Sequence, residues 1–149
     1  MVVIGTAALA GWLLGATVGT AMLMRWLRWH RAVRSASSRP PRLVFVHVAT
    51  ALGGLLLWVA YLATGRPHAL AWTAFAVLTL NNVLGDTLLT RGWRQRHHAS
   101  AATGSSRRRD YFRAVVETLR GRRPVATLHA LLAGVTYFLV LFAALGIGA

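Results

Sequence analysis

The chain has 149 residues, 56% of them hydrophobic, with a net charge of +14 and no cysteine. The missing cysteines exclude disulfides, thiolate metal sites and iron–sulfur clusters, and three acids in all leave little for hydrolysis by paired carboxylates. All 17 basic residues are arginine, which with abundant Ala, Gly, Leu and Val points to a GC-rich, bacterial genome.

Four apolar stretches follow one another: Val2–Met24, Leu43–Thr64, Ala69–Thr90 and Val125–Ile147. A helix rising 1.5 Å per residue needs about 20 apolar residues to cross a hydrocarbon core about 30 Å thick. All four stretches meet that length, and Asp86 is the one formal charge inside them. They predict an all-α integral membrane four-helix bundle, a single membrane domain over residues 1–149 built as two hairpins. The first stretch has no basic residue before Arg25 and is about twice the length of a signal-peptide core, so it is expected to be a retained span. Within it Ala7, Gly11, Gly15 and Gly19 recur every four residues, a spacing that lets two helix backbones approach closely. Their partner is either another helix of the chain or a second copy in a homo-oligomer.

The connections differ in charge. Residues 25–42 carry six arginines, 65–68 only Arg66, and 91–123 ten. Arginine is retained on the cytoplasmic side, which places the first and third connections inside and both termini outside a bacterial plasma (inner) membrane. Thr64-Gly65-Arg66-Pro67 predicts a tight exterior turn, with His68 beside it. Ser35 to Pro41 predicts a helix break, and His97 to Ser106, small and polar, a flexible linker. His30, His97 and His98 fall in the cytoplasmic connections. From Asp110 to Leu119 the apolar positions 111, 112, 115, 116 and 119 follow helical spacing, with Arg113, Glu117 and Arg120 opposite. This predicts an amphipathic helix lying in the membrane interface. Arg107, Arg108, Arg109, Arg113 and Arg120 form its surface for anionic headgroups or a protein partner. Arginines at membrane edges account for the net charge without nucleic acid as a partner.

Ionisable groups inside a span are costly and usually face the bundle interior. His47 lies five residues beyond Arg42, His129 six beyond Arg123, and Asp86 five before Arg91. All three are therefore expected about 8 Å inside the boundary, in one layer. If the hairpins pack about an axis along the membrane normal, His47 and His129 approach from parallel helices. Small residues follow each histidine at four and seven positions: Ala51 and Gly54, Ala133 and Thr136. Thr79, Asn82, Asp86 and Thr90, with Asn81 beside them, predict a polar stripe turned towards other helices. Trp12, Trp58 and Tyr61 read as packing or interfacial residues.

Three functional readings follow. In the first, His47 and His129 are axial ligands of one haem b, with small neighbours giving room for a flat macrocycle and Asp86 or Asn82 orienting a ligand or binding a propionate. On its span count and these two histidines, the chain resembles small four-helix b-type cytochromes of the cytochrome b561 kind. That resemblance implies electron transfer or a quinone-linked respiratory subunit. Those proteins usually carry a second histidine pair towards the opposite face; this chain has none, so at most one haem is implied. In the second reading the two histidines and Asp86 form a proton or ion site in an oligomer, or a His-His-Asp metal site. In the third they are structural, and the protein is a non-catalytic accessory or scaffold subunit recruiting a partner or anionic lipid. The chain has no phosphate-binding glycine loop, nucleophile elbow or HExxH pair to indicate an enzyme.

Overall fold

In a computed structural model, which describes residues 2–33, 42–96, 107–117, 120 and 124–147, the chain is all-helical. The helices are α1 (Val2–Val33), α2 (Arg42–Ala63), α3 (His68–Arg96), α4 (Arg107–Glu117) and α5 (Pro124–Ala144). The expected break at 35–41, the linker at 97–106 and the last turn of the amphipathic helix at 118–119 lie outside the described residues.

Among the described residues three helices, not four, are long and apolar enough to cross a membrane: Val3–Arg28, Arg42–Ala63 and Pro124–Ala144. At 29 residues α3 has the length. It falls short in apolarity because Asn81, Asn82 and Asp86 lie within it. Two helices also overrun the expected spans. α1 continues through Arg25 and Arg28 to Val33, so His30 is helical, and α3 passes Arg91 to Arg96. A helix satisfies its own backbone, so a change from apolar to arginine-rich sequence does not stop it.

The turn at 64–67 forms between α2 and α3. Gly65 and Arg66 take positive φ values of 79° and 64°, and the Arg66 amide donates to the Tyr61 carbonyl at 3.0 Å. This left-handed cap closes the carbonyls left open at the end of α2. α5 ends in the same way, with Gly146 at φ 75° and Ile147 N–H donating to the Phe142 carbonyl at 2.9 Å. His68 is the first residue of α3 rather than part of the turn.

The four long helices form a ring in the order α1, α2, α3, α5, and the most extensive contacts are α1 with α5 and α2 with α3. Neighbours run antiparallel. A side chain on Gly11 would meet Thr136, one on Gly15 would meet Leu132, and one on Gly19 would meet His129. The small-residue stripe of α1, which begins at half-buried Ala7, therefore lies along α5 of the same chain.

The apolar core sits towards the α2–α3 turn. Trp58 is fully buried there with Trp12, Tyr61, Ala74 and Val140, so Trp12, Trp58 and Tyr61 are packing residues. The Trp58 indole donates to the Gly5 carbonyl at 3.1 Å, and the Trp12 ring fills the space above Gly54. The outside of the ring is apolar as well: Leu14, Leu56, Val83, Leu131 and Phe138 are all exposed. Helices apolar on both their inner and outer faces are suited to a lipid environment.

Candidate functional site

α2 and α5 stand on a diagonal of the ring, and their histidines reach across it. The His47 and His129 ring centroids are 6.5 Å apart with an interplanar angle of 77°. Both rings are half-buried.

Each ring is held from behind by a neighbouring helix. His47 Nδ1 lies 3.1 Å from the carbonyl oxygen of Asn81 on α3, and His129 Nδ1 lies 3.1 Å from that of Gly15 on α1. A carbonyl oxygen only accepts, so each Nδ1 carries the proton and donates it. In the neutral imidazole this leaves Nε2 as the bare, ligating nitrogen. Four residues beyond each carbonyl stands a glycine beneath the ring. A Cβ on Gly85 would come 3.3 Å from His47 Cε1, and one on Gly19 would come 3.0 Å from His129 Cε1. The two halves of the site thus repeat about the bundle axis: histidine, carbonyl, and glycine one turn on.

Thr50, one turn beyond His47, adds a second tie to α3. Its hydroxyl lies 2.9 Å from Asn81 Oδ1 and 3.0 Å from the His47 carbonyl. Asn81, only 9% exposed, therefore meets His47 through its backbone carbonyl and Thr50 through its side chain. Asn82, the expected partner, is one residue along and half-buried. The expected inward stripe does not form as such. The Thr79 and Thr90 hydroxyls donate to carbonyls of their own helix, Phe75 and Asp86, each at 2.8 Å. Threonine in a helix has that local acceptor always within reach.

Asp86 does not join the histidines. It is exposed, and the Tyr111 hydroxyl of α4 donates to its Oδ2 at 3.4 Å. Burial, and then the neighbouring carboxylate, hold the Tyr111 hydroxyl above its ordinary pKa, so it remains a protonated donor. Among the described residues no three His, Cys, Asp or Glu side chains gather as a metal-binding group, and the His-His-Asp metal site is thereby corrected. The small residues two turns beyond the histidines leave no slot either: Gly54 is covered by Trp12, and Thr136 packs on Gly11. The glycines that matter lie on the facing helices.

α4 docks on the far end of α3 by polar groups. Asp110, 1% exposed, takes Arg94 Nε at 2.7 Å and a terminal guanidinium nitrogen at 2.6 Å. The Trp93 indole donates to Glu117 Oε2 at 2.8 Å. On α4, Asp110 and Ala114 are buried, whereas Phe112 and Val116 point outward beside exposed Arg108, Arg109, Arg113 and Arg120. Two strong polar pairs with α3 outcompete burial of two apolar side chains.

Two neutral imidazoles are a donor set that could hold a haem iron. Two metal–imidazole bonds of about 2.0 Å, each extended by roughly 1 Å from nitrogen to ring centre, would let one metal ion reach both rings at a separation of about 6 Å. The observed 6.5 Å is close to that span. Histidines that bind metals usually donate their other ring nitrogen to a carbonyl or carboxylate, as both do here. Sequence reasoning missed Gly15 and Asn81 as carbonyl acceptors, and Gly85 altogether. No protein-family model, curated protein or solved structure matches the chain.

Proposed function

We propose that this protein is a small membrane-embedded cytochrome, with one haem b between His47 and His129, acting as an electron-transfer or quinone-linked subunit. The observation that carries the reading is the paired arrangement of the histidines. Two imidazoles face each other across the bundle at a ligating separation, each with Nδ1 bound to a carbonyl. The bound haem would supply one-electron redox chemistry. The chain's own part is to hold both imidazoles neutral and fixed in direction, and to shield them within the ring of helices.

In this reading α3 is the fourth membrane-crossing helix. Its 29-residue length, its contacts with both α2 and α5, and its exposed Trp72, Leu80 and Val83 support that placement. Its most polar buried side chain, Asn81, is bonded to Thr50 rather than to lipid. In the same reading the histidine end and α4 lie on the cytoplasmic side of a bacterial inner membrane with both termini outside, which the arginine asymmetry of the connections supports.

An optical spectrum of the detergent-purified protein tests the reading. A Soret band with α and β bands that sharpen on reduction is the expected result, lost in both His47→Ala and His129→Ala. A colourless preparation that also fails haem reconstitution overturns it. The second reading, an accessory or scaffold subunit, would then stand on the outward arginines of α4.

A further inference from the structure

The outward side of α4 forms, with the end of α3, an open groove of about 390 Å³. Its floor is apolar, from Trp93, Phe112 and Val116, and its rim carries Arg109, Arg113 and Arg120. Phe112 is 54% exposed and Val116 45%. Three guanidinium groups stand against one carboxylate, that of Glu117, which accepts the Trp93 indole. The helix cannot turn its apolar residues inward, because Asp110 and Glu117 fix the opposite face to Arg94 and Trp93.

We infer that this groove is a binding site for the headgroup of an anionic phospholipid. Arginine presents planar donors matched to phosphate oxygens, and a basic pocket at the cytoplasmic end of a membrane helix is the setting in which such headgroups are held. The apolar floor takes the first part of the acyl chains, which a soluble phosphate or an acidic peptide lacks. The groove begins at Trp93, two residues beyond Arg91, where the apolar part of α3 ends. It is therefore at headgroup level. The inference rests on the membrane reading above and is independent of haem.

The test is native mass spectrometry of the full chain released from detergent with equal amounts of phosphatidylglycerol and phosphatidylcholine. One phosphatidylglycerol is expected to be retained in preference. Arg113→Gln with Arg120→Gln should reduce that preference about twenty-five-fold, a factor of about five for each arginine, while Arg28→Gln on α1 leaves it unchanged. Both altered side chains are exposed, and unchanged helicity by circular dichroism confirms that the double variant is folded. Equal retention of the two lipids, or a preference untouched by the double variant, overturns the inference. So does displacement of the lipid by an equal concentration of glycerol phosphate, which would make the site one for phosphate alone. A chain that stays soluble and monodisperse without detergent refutes the membrane reading instead.

Discussion

His129 and Gly15, 114 positions apart in the chain, meet through one hydrogen bond of 3.1 Å from the ring to the backbone. The acceptor is a main-chain atom, so no substitution deletes it. What can be altered is the packing that sets its distance. Gly19→Ala would put a methyl group 3.0 Å from His129 Cε1, whereas Gly85→Ala would reach only 3.3 Å from His47 Cε1. Haem titration of the purified variants should show affinity falling about tenfold for Gly19→Ala, less for Gly85→Ala, and little for Gly15→Ala, whose nearest neighbour is Leu132 at 3.9 Å.

The stripe of α1 makes a prediction about stability alone. A Cβ on Gly11 would stand 2.6 Å from Thr136 Oγ1, a buried hydroxyl without a hydrogen-bond partner. Gly11→Ala should cost about 1–3 kcal/mol through overpacking, and adding Thr136→Ala should recover most of it. Gly53 has open space around it, so Gly53→Ala should instead add about 1 kcal/mol from helix propensity. Thermal unfolding in detergent, followed by circular dichroism, compares the three.

Trp58→Phe keeps an aromatic ring in the core but removes the donor to the Gly5 carbonyl. A loss of about 1–2 kcal/mol is expected, seen as a lower midpoint of unfolding. The absorption spectrum of bound haem should not change, since the site lies towards the other end of the bundle.

Asp110→Ala removes the buried carboxylate that binds Arg94. A partly exposed pair of this kind is worth about 2 kcal/mol, enough to leave α4 undocked much of the time. Trypsin should then cleave at Arg108, Arg109 and Arg113 at least tenfold faster than in the native chain. Glu117→Gln, which keeps an oxygen to accept the Trp93 indole, should cleave at nearly the native rate.

Apolar length and turn residues made the long helices, the turn at 64–67 and the meeting of the two histidines readable in the chain. The partners of the histidines were not readable, because both are backbone carbonyls, which any residue supplies. The fate of Asp86 depended on α4, whose docking face could not be found from apolar periodicity: polar pairs, not apolar burial, turn Phe112 and Val116 outward. The same limit applies to α3. Asn81, Asn82 and Asp86 differ in burial although they lie within six positions, and only packing against α2 separates the inward amide from the other two.

The closest packing in the ring joins α1 to α5 and α2 to α3, not the helices within each hairpin. α1 therefore finds its principal partner only when α5, made more than 100 residues later, has followed it. Until then Gly11, Gly15 and Gly19 lack the helix they pack against, and the Gly15 carbonyl has no ring nitrogen to accept from. The histidine pair can assemble only after α5 has been made, and a nascent chain stopped before α5 holds only one half of the site.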